Sequence, residues 1–501
     1  MSSASKNKTA AYHARHALPE SARRELGRTG LIVSRLGFGG YRIDDVTLEH
    51  AEALQLALRS GVNLIDTSTN YTDGGSERLV GNVLQALFRA GELEREEVVI
   101  VSKAGYVQGQ NLQLAQERER QGRGFPEMVK YMQNCWHCIH PDFLGDQLFR
   151  SLARLQLEQI DVLLLHNPEY FLADAQHHQQ QDLATVREEY YRRIREAFNF
   201  LEKQVAAGRI ACYGVSSNTF PHAATHPEFT ALERLWDIAA ALSPLHHFRV
   251  IQFPAKLYET GAMKEKNQLG GSATLLEFAR EKKIATLVNR PLNAMHGNGM
   301  KRLAAFSTLA VNDAEKIFPA QLAALAEIEK RFTQTLFAEL NFARFVQIER
   351  PIFAWSEQLG DGLRVFKNWA HWDHVKQNVI EPQTEMALHF FREKSGSAAL
   401  WQEWETQYRA ALAAVLTTLA QVHAREAAAD SQQLAAQLDA AVPALQATPA
   451  LSQKALRVLL NVPGVDGVLL GMRRTPYVED GLTALRAERI DHVWSALKFN
   501  Q

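Results

Sequence analysis

The chain is short of cysteine, with only Cys135, Cys138 and Cys212 among 501 residues. So few exclude a disulfide framework and fit a reducing compartment, so a cytoplasmic location is expected. No run of about 18 apolar residues is present, which leaves no candidate for a membrane-spanning helix. Neither sign of charge dominates: 55 Lys and Arg face 56 Asp and Glu. Without a net field, neither nucleic acid nor a membrane surface is an expected partner. The opening MSSASKNKTAAYHARHALPE lacks the apolar core of a signal peptide, and residues 1–22 read as a flexible tail. A G-x-G-x-x-G loop between strand and helix is missing too, which argues against a Rossmann dinucleotide fold.

What is present is a rhythm. With 46% hydrophobic residues the chain can bury a large core. Residues 24–40 read as a hairpin followed by a first strand. Further strand-like runs fall at 63–66, 98–102, 161–166, 211–215, 249–253, 284–288 and 468–470. Helical patterns alternate with them, among others at 76–90, 142–156, 186–207, 228–242 and 273–282. Eight such repeats predict an α/β fold, a (β/α)8 TIM barrel. Two stretches break the pattern. Residues 104–140 read as a long polar loop ending in CWHCIHP. Residues 293–452 carry helical periodicity and five of the eight tryptophans, Trp355, Trp369, Trp372, Trp401 and Trp404. That aromatic load implies a packed, mainly helical insertion between strands 7 and 8, with the barrel formed by 23–292 and 453–501. The Ala- and Gln-rich 429–451 reads as a solvated helix and a Pro-containing linker.

Three of the strand-like runs end in groups that carry chemistry. LIDTSTNY ends its apolar run in Asp66 and places Tyr71 five residues on; VVIVSKAG delivers Lys103; DVLLLHNP delivers His166. Singly, such residues are ordinary caps or core hydrogen-bonders. In order on successive strands, they gather at the rim where barrels keep their chemistry. A phenol near pKa 10 is a poor proton donor, and a neighbouring ammonium lowers that value. The carboxylate keeps the ammonium charged, and the imidazole orients a reacting oxygen. These groups polarise and protonate a carbonyl but supply no electrons, so a cofactor is required. The C-x-x-C of Cys135 and Cys138, with His137 and His140 beside it, has metal-site spacing but no second ligand pair, so loop packing is expected. HWDH, with His371 and His374, is read as aromatic packing, and no metal is expected.

The segment LGRTGLIVSRLGFGGYR, the four residues just named, and the segments YGVSSN, VIQF and GVLLGMRR together resemble the aldo-keto reductase family. The resemblance covers roughly residues 24–292 and 455–490 and implies Asp66, Tyr71, Lys103 and His166 as catalytic tetrad. It implies a nicotinamide dinucleotide in an extended pose, its carboxamide held by Ser217, Asn218 and Gln252. Gly40, Tyr41, Asp66, Asn289, Arg290, Pro291 and Leu292 complete that side of the cofactor site. Gly471, Met472, Arg473, Tyr477 and Asp480 form the phosphate and adenine side, at an expected helix N-terminus. Tyr477 and Gly481 stand where the family often has glutamine and asparagine, and Asn289 where it often has an aromatic. The implied function is an NADP(H)-dependent oxidoreductase, with NAD(H) second, that interconverts an aldehyde, ketone or sugar hemiacetal with its alcohol or lactone. The other reading is a nucleotide-binding regulatory or interaction protein with the helical insertion as partner surface.

Overall fold

The structure is a computed structural model. It describes residues 3–178, 182–257, 259–296, 299–302, 308–347, 351–396 and 398–496. Eight strands close a parallel barrel: β1 (Leu36–Gly39), β2 (Leu64–Asp66), β3 (Val99–Ala104), β4 (Ile160–His166), β5 (Ile210–Ser216), β6 (Phe248–Pro254), β7 (Ala285–Asn289) and β8 (Gly467–Leu470). Neighbours in sequence are neighbours in the sheet, and β8 closes on β1. Helices alternate with the strands near the expected places, for example Gly75–Arg89, Pro141–Leu155 and Leu183–Ala206.

The strands are apolar on both faces, and their period of two sorts the side chains. Leu64, Val99, Val101, Val162, Leu164, Val250, Leu287 and Leu469 fill the barrel interior. Ile65, Ile100, Leu163, Leu165, Val215 and Ile251 point outward into the layer of helices. The interior phase, continued one step further, reaches Asp66, Lys103, His166, Ser216, Gln252 and Asn289. The same alternation that packs the core therefore delivers polar groups to the C-terminal mouth.

The flexible tail expected over 1–22 is not what the chain forms. Lys6–Arg15 is a helix, with Thr9, Tyr12 and His13 buried on one stripe. The Ala4 N–H donates to Asp161 at the start of β4, at 2.7 Å. Thr9 Oγ1 accepts from the Ile32 N–H at 3.1 Å, and the buried Tyr12 hydroxyl lies against the carbonyls of Leu58 and Val62. A stripe of Thr, Tyr and His carries too little apolar signal to read as amphipathic, although its atoms pack as one.

The polar loop expected over 104–140 is also structured. Gly109–Arg120 is a helix, and Tyr106–Val107, Cys135–His137 and Val129–Met132 form a small antiparallel sheet. Val107, Leu112, Ala115, Phe125, Cys138 and Phe143 give it a core of its own. So few apolar residues, spread over forty positions, leave little periodicity to find.

The chain divides into two units, Met1–Ala294 with Ala441–Gln501, and Met295–Ala440. The return to the barrel unit thus falls at Ala441, before the expected 453. Pro443–Leu445 is a short helical turn rather than a linker, and the Lys454 ammonium donates to the Leu445 carbonyl at 2.9 Å. The second unit is helical, built on Val311–Arg331, Glu381–Ser395 and the long Ala399–Ala441. Its core is aromatic: Trp404 stacks on Tyr408 at 4.9 Å, with Trp401, Phe332, Phe353 and Phe391 around them. The buried Glu329 carboxylate accepts from the Trp355 N–H at 2.8 Å and from Ser356.

Tyr12→Ala should destabilise the barrel unit by about 3 kcal/mol, as for other buried aromatics. Urea unfolding followed by far-ultraviolet circular dichroism checks it; an unchanged midpoint would return the first helix to the status of a tail.

Candidate active site

Lys103 is fully buried, and burial alone works against its charge. Asp66 answers it at 2.7 Å, and the Thr67 carbonyl accepts from the same ammonium at 2.7 Å. Asp66 and Tyr71 outweigh burial and hold the ammonium above its ordinary value. Burial in turn lifts the Asp66 carboxyl, against Lys103 and Gln252. Lys103 Nζ lies 4.7 Å from the centroid of the Tyr71 ring. Burial raises the Tyr71 phenol, and the Lys103 ammonium pulls it back. The ammonium acts in the expected direction, but the net shift is upward, because burial penalises phenolate more.

Tyr71 opens a turn in which Thr72, Asp73 and Gly74 all take left-handed backbone angles. That turn projects the ring over the mouth. Its edge meets His166, with ring centroids 5.9 Å apart, and Tyr41 leans on its other side at 5.3 Å. The His166 ring is held well below its ordinary pKa, by burial first and then by Lys103 and His137. It is neutral near pH 7. The four residues expected together are therefore brought together.

The strand-end residues nearby are tied into one network. Gln252 Nε2 donates to Asp66 at 2.7 Å, while its Oε1 accepts from Ser216 at 3.2 Å and from Asn289 at 3.3 Å. Gln252 keeps one N–H uncommitted in these bonds. Ser217 Oγ pairs with Thr219 Oγ1 at 3.1 Å, and Asn218 Oδ1 accepts from Arg290. Pro291 is buried, and Leu292 packs partly buried on the main core. Gly40 N–H donates to the Asp66 carbonyl at 2.7 Å, and a Cβ there would collide with that carbonyl and Ser76.

On the opposite side, Gly471 faces open space and Met472 is buried. Arg473 and Arg474 precede the helix Thr475–Arg486, as expected. Arg474 also pairs with Glu49 at 3.4 Å. Tyr477 lies half-buried on the first turn of this helix, and Asp480 accepts from Gln453 at 2.8 Å. A nicotinamide dinucleotide fits this donor set on one direct observation: Asn289 Oδ1 is buried and, among the described residues, lacks a hydrogen-bond partner. A carboxamide N–H suits that acceptor.

Other residues at the mouth had no strong signal. Tyr106 packs its edge on His166 at 4.6 Å, and His137 Nε2–H donates to the His166 carbonyl at 2.7 Å. Gly105 was the available clue, since a Cβ there would meet both His137 and the His166 carbonyl. The C-x-x-C segment sends its groups apart: Cys135 toward Gln108, Cys138 toward the Pro126 carbonyl, and His140 onto the Asp142 N–H. His371 likewise meets the Phe366 ring at 5.5 Å, and His374 pairs with Asn378. Glu169, three residues past His166, is buried. It accepts from the Asn218 N–H at 2.7 Å, and its Oε2 lacks a partner among the described residues. Burial pushes its carboxyl up to about 7.

The closed parallel barrel thus carries a buried ammonium–carboxylate pair, a tyrosine and a neutral histidine at its C-terminal mouth. Residues 35–228 match the model of the Aldo/keto reductase family. It is 30% identical to the NADH-specific methylglyoxal reductase of Escherichia coli (strain K12) over 149 residues, 28% of this chain and 40% of that protein. It is 24% identical to the 6-dehydroglucose reductase of Novosphingobium aromaticivorans over 312 residues, 58% of this chain and 83% of that protein. The chain thus spans less than two thirds of the first relative's length. A solved aldo-keto reductase from Bacillus halodurans, in its holo form, aligns over 95% of this chain and 96% of its own, with a TM-score of 0.45 and 15% identity. Among the described residues no helix is long and apolar enough to cross a membrane.

Glu169 gives the site a pH dependence. Its folded-state value, about 7, lies above the ordinary 4.5. Between those values the folded protein keeps a proton that the unfolded chain has lost. The associated stability is therefore complete below about 4.5 and lost as pH rises through 7, by up to about 3 kcal/mol. Glu169→Gln should remove that loss, so urea midpoints of variant and parent should diverge as pH rises from 4.5 to 8. Parallel profiles would show that the carboxyl titrates normally.

Proposed function

We propose that this protein is an NADP(H)-dependent oxidoreductase that interconverts an aldehyde, ketone or sugar hemiacetal with its alcohol or lactone. One observation carries the reading: a fully buried ammonium, neutralised by Asp66, sits against the Tyr71 ring beside a neutral imidazole. A structural ion pair has no use for a phenol projected over it on a strained turn.

The nicotinamide cofactor supplies the hydride acceptor or donor. Ser217, Asn218, Asn289 and the remaining Gln252 N–H would hold its carboxamide, and Arg473 at the start of Thr475–Arg486 its phosphates. Tyr71 Oη exchanges a proton with the substrate oxygen. Lys103 stabilises the phenolate side of that exchange, and Asp66 keeps Lys103 charged and aimed. His166, uncharged, orients the oxygen by a hydrogen bond. Tyr41, exposed and edge-on to Tyr71, lines the entrance. The named relatives handle a small oxo-aldehyde and an oxidised sugar, which supports a carbonyl or hemiacetal substrate. The Escherichia coli relative is NADH-specific by name, so the preference for NADP(H) rests on Arg473 and Arg474.

Tyr71→Phe should lower carbonyl-dependent NADPH oxidation by 10²–10⁴-fold, the usual worth of a positioned general acid, with dinucleotide binding nearly unchanged. Substantial turnover by the folded variant would end the assignment. In a fluorescence titration NADP(H) should bind more tightly than NAD(H), and Arg473→Ala should erase most of the difference. Equal losses for both dinucleotides would mean that Arg473 does not read the 2′-phosphate.

A further inference from the structure

Glu169 is joined to the two residues expected to hold the nicotinamide carboxamide. Its Oε1 accepts from the Asn218 N–H at 2.7 Å, and the Ser217 hydroxyl acts on the same carboxyl. From Ser217 a run of buried hydroxyls leads away. Ser217 Oγ meets Thr219 Oγ1 at 3.1 Å, Thr219 meets Thr230 at 3.1 Å, and Thr230 meets the Tyr190 hydroxyl at 2.8 Å. The run ties the segment after β5 to the helix Leu183–Ala206, so Ser217 is fixed from behind. Asn218 is fixed from the other side, where its Oδ1 accepts from Arg290.

The Glu169 carboxyl itself is poorly compensated. It is buried, and its Oε2 lacks a partner among the described residues. Of the groups that face it, Glu228, just before the helix Leu232–Leu242, disfavours a second negative charge. The other three are phenols: Tyr106 from the excursion, Tyr170 from the chain just beyond, and Tyr190 from Leu183–Ala206. Burial first, with the Glu169 charge contributing, holds all three above the ordinary phenol value, so they are neutral near pH 7. Asp66, by contrast, has Lys103 as its counter-ion. A buried carboxyl without a counter-ion sits near the balance of its two forms, and a positive charge brought close moves that balance.

We propose that Glu169 is a positioning residue whose carboxyl gives up its proton when the oxidised, cationic nicotinamide is bound and keeps it when the reduced, neutral form is bound. The Glu169 O–H bond breaks, the electron pair stays on the carboxylate, and the proton passes to solvent. The carboxamide is a substituent of the charged ring itself, and Asn218 stands between it and Glu169. A unit charge roughly 10 Å away, at an effective dielectric of about 20, shifts a carboxyl by about one unit, or about tenfold in its equilibrium. Linkage gives the sign. At alkaline pH Glu169 is ionised and favours the oxidised cofactor, and in acid that preference is absent. The inference rests on the proposed function for the identity of the ligand.

Calorimetric titration of the full chain with NADP⁺ and with NADPH, from about pH 5.5 to about pH 8.5, tests it. The ratio of the two dissociation constants cancels protons taken up by the phosphates that both forms carry. That ratio should fall about tenfold, in favour of NADP⁺, as pH rises through the range in which Glu169 titrates. Near pH 7, NADP⁺ should also release more proton than NADPH, seen as heat that scales with the ionisation enthalpy of the buffer. Glu169→Gln, whose amide oxygen can still accept from Asn218, should hold the ratio constant. A merely structural Glu169 would weaken both forms together and leave the slope in place. An equal slope in Glu169→Gln, or a flat ratio in the parent protein, overturns the proposal while leaving the proposed function standing. If neither dinucleotide binds, the proposed function falls and takes this inference with it.

Discussion

A lysine with no exposed side-chain surface dictates the terms on which this barrel closes. A buried ammonium without a partner is untenable, and breaking such a pair typically costs about 3–5 kcal/mol. Asp66 must therefore sit within 3 Å, on the neighbouring strand, and both side chains must point into the barrel. Gln252, on a strand well round the barrel, then completes the Asp66 carboxylate. Through Ser216 and Asn289 the same network reaches β5 and β7. One charge thus ties together the C-terminal ends of β2, β3, β5, β6 and β7.

That requirement and the packing of the core are met by a single device, the alternation of the strands. Below the mouth the inward positions are Leu64, Val101, Leu164, Val250 and Leu287. Two residues later in each strand the inward position is polar. A one-residue register slip would send the charged pair into the helical layer and the outward leucines into the mouth. Stability and the chemistry of the site therefore constrain the same choice of phase.

The excursion between β3 and Pro141–Leu155 adds a layer that the barrel alone lacks. It has its own small core, and it spends its polar residues on the site: Gln108 on Asn70, the Gln110 N–H on Asp73, and His137 on the His166 carbonyl. Asp73 lies in the left-handed turn just after Tyr71. The excursion thus braces both the tyrosine turn and the histidine.

The barrel was legible because strand phase and helix periodicity are local and repeat eight times. Asp66, Lys103 and His166 were legible because each ends an apolar run, and Tyr71 because it follows at a short, fixed distance. The first helix and the excursion were not, since Thr9, Tyr12, His13, Leu112 and Ala115 acquire their meaning only from distant partners. The same holds for Glu169, whose carboxyl is shifted by burial, and for the Tyr71 phenol, whose net shift is upward. By itself, the order of residues determined which groups stand at the strand ends and which face each strand buries, because alternation needs no knowledge of neighbours. Only the tertiary structure decided which protonation states those groups adopt, because desolvation and hydrogen-bond polarity depend on what the rest of the chain brings against them.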